Sequence, residues 1–233
     1  MRLRFILVEP KVPENIGAAA RAIKVNGFED LVLVNPLCPL DGKALWVAHG
    51  SDELVRNARI SENLREALAG SVFSVATSAK ARNVFCEPVV SDDLLTFLSS
   101  RINKGDTVSI VFGREESGLT NDEIKLCDIS SFIPMKNPFP SINLGQAVMV
   151  YAYLLSGLTS AQGKMSTEEC DGDRKKASLH LLKNKAGSIL TSIGIPEDDS
   201  RYGRIMERLS YLSPSDIRLM MSVASKLEPT EPN

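Results

Sequence analysis

Apolar runs of strand length alternate with helix-length amphipathic stretches through the first two thirds of the chain. Phe5–Val8 stops at Glu9-Pro10, Leu31–Val34 at Asn35-Pro36, and Val72–Ala76 at Thr77-Ser78. Val108–Phe112 stops at Gly113, and Ile129–Ile133 at Pro134. Nearly continuous apolar character, ended by turn residues, is the mark of strands buried on both faces of a parallel sheet. Between these runs the spacing predicts helices over Asn15–Asn26, Leu45–Ala58, Ser61–Leu68, Ser91–Ile102 and Thr120–Leu126. Strand and helix alternating in this way imply an α/β fold with a parallel sheet and helices on both faces.

The texture then changes. Ser141–Leu158 reads as a helix that is apolar on nearly every side, so it must be covered all round, by its own domain or by a second subunit. Ser160–Asp173 is polar and reads as a linker. Three helical patterns without strands follow, with stripes running through Leu179 and Leu182, Tyr202 and Leu209, and Ile217 and Met221. The third opens Ser213-Pro214, an N-cap followed by Pro at the first helical position. Glu228–Asn233 is expected to fray. The organisation expected is a catalytic-sized domain over 1–160, a linker over 161–173 and a small all-helical extension over 174–233.

Composition narrows the classes. The chain has 233 residues, 27 Lys+Arg against 29 Asp+Glu, and a net charge of −2. It therefore lacks the global basic footprint of a general nucleic-acid binder, and a polyanion partner must be held by local patches. Cys38, Cys86, Cys127 and Cys170 include no C-x-x-C pair and have no nearby His, so neither a metal site nor a disulfide framework is indicated. The apolar run at the N-terminus is too short for a signal peptide, and no stretch is long enough to span a membrane. A cytoplasmic protein is expected.

In open parallel sheets ligands bind beyond the carboxyl ends of the strands. Three segments there are rich in usable side chains. The first, Glu9–Arg21, contains Asn15, placed to cap the next helix, then Gly17, three alanines and Arg21. The second, Gly113–Asn121, brackets Glu115 between two glycines; the third, Ile133–Gln146, is stiffened by prolines and contains Ser141 and Asn143. Each has an ordinary reading as a solvated arginine, a turn or a cap. No G-x-G-x-x-G or G-x-x-x-x-G-K-[ST] is present, so neither a Rossmann dinucleotide site nor a P-loop is supported.

Taken together, PENIGAAARA, VFGREESGLTN and IPMKNPFPSINLGQAV resemble, in order and spacing, the three motifs of the SpoU/TrmH-type 2′-O-ribose methyltransferases. The helical tail and Thr77-Ser78-Ala79 resemble the TrmJ-like branch, which modifies tRNA. Ile142 stands where that pattern commonly has Leu, a conservative difference. The resemblance implies a SPOUT-type sheet with a trefoil knot near the C-terminal end of the domain, an exception to the rule against threaded chains. It also implies a homodimer with the apolar helix in the interface. S-adenosylmethionine would be held largely by backbone groups at Thr77, Ser78, Ala79, Gly113, Ile133, Pro140, Ser141 and Ile142, with no metal.

The family reaction places Arg21, Asn15, Glu115, Ser141 and Asn143 around the ribose hydroxyl. A guanidinium holds its proton in proteins, which suits Arg21 to orienting RNA and stabilising developing alkoxide charge, with Glu115 orienting Arg21 or a neighbouring amide. His49 can line the substrate cleft or simply be solvated, and His180 falls on the polar side of a tail helix. Arg174, Lys175, Lys176, Lys183 and Lys185, then Arg201, Arg204 and Arg208, form two basic stripes for RNA; the plain alternative is a solvated face with Arg201 paired to Glu197. The implied activity is methylation of a tRNA ribose, at a cytidine or uridine of the anticodon loop. An rRNA methyltransferase and a non-catalytic RNA-binding protein are the alternatives.

Overall fold

The computed structural model describes residues 1–80, 87–103, 105–137, 141–160, 172–212 and 214–224. The chain forms two compact units, Met1–Ser166 and Thr167–Asn233.

The first unit is built on a seven-stranded sheet, parallel throughout. Its strands are β1 Arg2–Val8, β2 Asp30–Val34, β3 Arg59–Ser61, β4 Phe73–Ser78, β5 Val89–Val90, β6 Thr107–Phe112 and β7 Ile129–Phe132, in the order β3-β2-β1-β6-β4-β7-β5. The chain steps outward from β1 to β3, and later places β6 between β1 and β4, and β7 between β4 and β5. The central register pairs Phe5 with Leu31 on one side and with Ile110 on the other.

Alternate side chains serve opposite faces. Ile6, Val8, Val32, Val34 and Val111 pack with Leu64, Leu119, Ile124 and Cys127. Phe5 and Phe112 point the other way and stack at 6.4 Å, and Tyr151 meets Phe112 edge-on at 5.6 Å. Burial on both faces accounts for the unbroken apolar runs.

Around the sheet lie α1 Pro13–Val25, α2 Lys43–Ala48, α3 Asp52–Arg56, α4 Leu64–Ala67, α5 Ser91–Ser99, α6 Asn121–Lys125, α7 Leu144–Leu155 and α8 Gly157–Ser160. The expected helix over Leu45–Ala58 is two helices, because His49 (φ 22°) and Gly50 (φ 77°) take left-handed backbone between them. Residues 59–61 pair with β2 before the helix expected at Ser61, so that helix shortens to α4.

Two expectations for helix ends are corrected. Asn15 is not a cap: Val12 occupies that position without a side-chain bond, Pro13 opens α1, and Asn15 lies inside the first turn. The apolar helix starts at Leu144, capped by Asn143 in a box with Gln146, so Ser141 lies outside it. Its own domain does not cover that helix all round, since Met149 and Tyr153 are exposed in the single chain.

Helix α9 (Gly172–Ser192), α10 (Ser200–Ser210) and α11 (Pro214–Ala224) make up the described part of the second unit, around Leu182, Leu209 and Ala224. Ser213, the expected cap of α11, and Glu228–Asn233 lie outside the described residues, as do Cys86 and Cys170. Cys38 and Cys127 are free thiols.

Candidate active site

The chain leaves β1 through Glu9, itself in left-handed backbone (φ 47°), and turns into α1 at Pro13. A helix N-terminus has amides without internal partners. Here the Glu115 carboxylate takes the amide of the cap residue, Val12, and that of Lys11 just before it. Lys11 N–H donates to it at 3.2 Å to one oxygen and 3.3 Å to the other, and Val12 N–H donates at 3.2 Å. A third donor comes from inside the helix: Asn15 Nδ2 at 3.1 Å. Burial raises the Glu115 pKa, but the bonds from Asn15 and the backbone outweigh it, so the carboxyl ends below its ordinary value.

Asn15 is only 7% exposed, and its orientation is decided by its partners. A carboxylate only accepts, so Nδ2 must face Glu115 and Oδ1 must face away. Oδ1 accepts from Asn143 Nδ2 at 2.7 Å, and Asn143 Oδ1 in turn accepts from Gly145 N–H at 2.8 Å. The result is a polarised relay, Gly145 to Asn143 to Asn15 to Glu115, linking all three loops. Gly145 is required by the approach of α7 to α1, since a Cβ there would lie 2.7 Å from Ala18 Cβ.

Arg114 holds the middle loop. Its guanidinium donates to Glu9 at 2.8 Å and, in a fork, to both oxygens of Glu123 at 2.9 and 3.0 Å. The carboxylates push the Arg114 pKa up and end below their own ordinary values. Glu123 also closes a capping box with Thr120. Gly113 is a second obligatory glycine, because a Cβ would lie 2.1 Å from Gly118 C. Arg114 is absent from the sequence-based site residues; Thr120-x-x-Glu123 was readable as a cap, but nothing local marked Arg114 as its partner.

Beyond these strand ends opens a cleft lined by Thr77, Ser78, Ala79, Gly113, Ile133, Ser141 and Ile142. Those are the expected cofactor positions; Pro140, the remaining one, lies outside the described residues. Thr77 is fixed by its hydroxyl, which donates to Val111 C=O at 2.9 Å. Phe112, Leu119, Ile124, Met135, Leu144 and Tyr151 complete the apolar walls, and Glu115 and Glu116 stand at its edge. Tyr151 donates its hydroxyl to Ser131 at 3.1 Å, and burial raises its pKa.

The structure thus brings Asn15, Glu115 and Asn143 into one network with Ser141 on the adjoining cleft. Arg21 is not part of it. It is exposed on α1, and neither a hydrogen bond nor an ion pair holds it among the described residues. In this chain Glu115 accepts from the Asn15 amide and from backbone N–H groups, and no bond joins it to Arg21 among the described residues. His49 is exposed and does not line the cleft. Among the described residues no group of three His, Cys, Asp or Glu is placed to hold a metal ion.

In the helical unit, Arg201 pairs with Asp199 at 2.6 Å rather than with Glu197, and this holds the Asp199 carboxyl down at about 2. Arg204 and Arg208 are exposed one turn apart on α10. Lys183 and Lys185 are half-buried on α9. Arg174, Lys175, Lys176 and His180 lie on α9, and their side chains are outside the described ones.

Residues 2–153 match the model of the SpoU rRNA Methylase family, most of the sheet-bearing unit. The chain belongs to this family. LasT of Escherichia coli K12, named an uncharacterized tRNA/rRNA methyltransferase, is 36% identical over 228 residues, 98% of either chain. The similarity to LasT extends over the tail, beyond the residues that match the family model. TrmJ of Pseudomonas aeruginosa UCBPP-PA14, a tRNA (cytidine/uridine/adenosine-2′-O-)-methyltransferase, is 32% identical over 227 residues, 97% of this chain and 85% of its own. The crystal structure of TrmJ from Z. mobilis ZM4 superposes with a TM-score of 0.67 at 28% identity, covering 98% of this chain and 100% of that one.

Proposed function

We propose that this SpoU-family chain transfers the methyl group of S-adenosylmethionine to a ribose 2′-hydroxyl of tRNA, at a cytidine or uridine of the anticodon loop. One observation carries the reading: the Glu115–Asn15–Asn143 relay adjoins the cleft walled by Thr77–Ala79, Gly113, Ile133, Ser141 and Ile142. The cleft suits this donor. Its apolar walls can enclose an adenine, its acidic residues complement a sulfonium and an ammonium, and the arginine among its described lining residues, Arg114, is committed to Glu9 and Glu123 rather than free for a phosphate.

S-adenosylmethionine, when bound, supplies a methyl that is already electrophilic, so the protein's task is alignment and charge. Ser141 and Asn143 steer the ribose hydroxyl, and Glu115, fully ionised, fixes Asn15. Arg21 orients the RNA backbone and offsets developing negative charge. The tail presents Arg204 and Arg208 to phosphates.

Two architectural points belong to this reading. The seating of β7 between β4 and β5 supports a knotted path at the end of the sheet unit. The exposed Val25, Met149 and Tyr153, on α1 and α7 where Asn26 meets Met149, support a homodimer through that face. Arg21, one turn before Val25, stands at its border. A cytoplasmic location fits a tRNA substrate and a chain in which no described helix is long and apolar enough to cross a membrane.

The test is incubation with labelled S-adenosylmethionine and either bulk tRNA or rRNA, followed by digestion to nucleosides. Label in a 2′-O-methyl pyrimidine from tRNA is the expected result; label only in rRNA selects the second reading, which the name of LasT keeps open. No label in either returns the chain to a non-catalytic RNA binder.

A further inference from the structure

The chain has one tryptophan, and it is 82% exposed. Trp46 lies on α2, on the side away from Ala44 and Ala48, which are buried. Ala44 and Ala48 pack over Gly17, where a Cβ would lie 2.2 Å from Ala44 C=O, so α2 is pressed against the first turns of α1. Lys43 reaches Glu14, the neighbour of Asn15, at 3.1 Å. Trp46 follows Lys43 by three residues, about 4.5 Å along the axis. The ring therefore stands on the outer, solvent-facing side of α2, which itself packs on the turn of α1 that follows Asn15. Because β2 lies across β1 from β6, it is on the side of the relay opposite the cleft at β4, β6 and β7.

The backbone fixes this position. Gly42 (φ 49°), His49 (φ 22°) and Gly50 (φ 77°) bracket the helix, and His49 is a non-glycine residue held in left-handed backbone, a strain that concentrates at functional sites. Arg21, exposed one turn beyond Gly17 on α1, adds a cation to the same region.

We propose that Trp46 is a stacking platform for an unpaired base of the RNA substrate next to the nucleotide being methylated; this rests on the proposed function. Single-stranded RNA is read by splaying bases onto exposed aromatic rings, and stacking tolerates any base. A strand entering the relay must continue past one side of it. The cleft occupies one flank and α2 the other.

Because Trp46 is the only tryptophan, its emission reports the contact directly. Titration with unfractionated tRNA, corrected for absorption with free N-acetyltryptophanamide, should quench it saturably, and less at high salt. Trp46→Ala should raise KM for tRNA about tenfold with kcat within twofold, whereas Trp46→Phe stays near the parent; thermal melts establish that both variants fold. Unchanged emission and an unchanged KM in Trp46→Ala, with methyl transfer intact, overturn the platform and leave the function standing. Emission that changes on diluting the protein without RNA also overturns it, by assigning Trp46 to a protein contact. Quenching without methyl transfer to any RNA removes the proposed reaction and, with it, the platform's place beside a methylated nucleotide, leaving only an RNA contact at Trp46.

Discussion

Asn143 donates a 2.7 Å hydrogen bond to Asn15 across 128 residues of sequence, and that bond decides which way both amides face. Glu115 accepts at one end of the relay and Gly145 N–H donates at the other, so neither asparagine can rotate by half a turn without placing like against like. Asn15→Asp is therefore far worse than its size suggests. It sets a second carboxylate against Glu115, and methyl transfer should fall at least about a hundredfold at neutral pH. Partial recovery toward about pH 5, where one of the two acids binds a proton, is the signature to measure in a pH–rate profile.

Glu115 gives the fold an acid dependence of definite sign. Its folded pKa lies below the ordinary 4.5, because the bonds from Asn15, Lys11 and Val12 outweigh burial. A depressed carboxyl contributes stability that is fully present above the unfolded value and is lost as pH falls through the folded one. Glu115→Gln cannot titrate. The stability gap between the parent and Glu115→Gln, read from urea midpoints, should be constant above pH 4.5 and close below it.

Gly145→Ala tests packing and site together. The added methyl meets Ala18 Cβ at 2.7 Å, so α7 must move away from α1. Overpacking of this kind costs about 1–3 kcal/mol. The same displacement stretches the Asn143–Asn15 bond, so kcat should fall even at temperatures where the variant is fully folded. A loss of stability with kcat unchanged would show that the relay does not matter for the reaction.

Arg114 predicts a large loss of stability. Its fork to Glu123 and its bond to Glu9 are largely shielded, with 17% of the side chain exposed. Arg114→Ala leaves two carboxylates facing an empty space, and stability should drop by about 3 kcal/mol in denaturant titrations. Arg114→Lys keeps the charge but not the fork, and should recover less than half of that.

The tail arginines should separate by partner. Arg204→Ala and Arg208→Ala should each weaken tRNA binding and reduce the slope of log affinity against log salt by about one. Arg201 is already paired with Asp199, so Arg201→Ala should do less. Equal slopes in all three variants would falsify the assignment of α10 to phosphate contact.

The central strands were legible because burial on both faces leaves no polar interruption in Phe5–Val8 or Val108–Phe112. Short edge strands such as Val89–Val90 carry too few residues to show a pattern, and the break in the helix expected over Leu45–Ala58 depended on backbone angles at His49 and Gly50. Asn15 shows the same limit within the site. An Asn just before an Ala-rich run looks like a cap, and only the approach of Glu115 and Asn143 from distant loops gives its amide another use. The cofactor positions came from the motif resemblance, and the cleft collects all those described. Arg21 lies outside the relay, and among the described residues no hydrogen bond or ion pair holds it.

The closure of the cleft by α7 also sets an order in time. Synthesis runs from Met1 onward, so β1 and α1 emerge first, the loop bearing Glu115 much later, and Asn143 with Tyr151 after that. Until α7 is free to pack on α1, Asn15 has no donor for its carbonyl and the cleft lacks a wall. A chain still being made at the ribosome, surrounded by RNA, therefore has no assembled site, and competence arrives in one step when the last segment of the sheet unit docks.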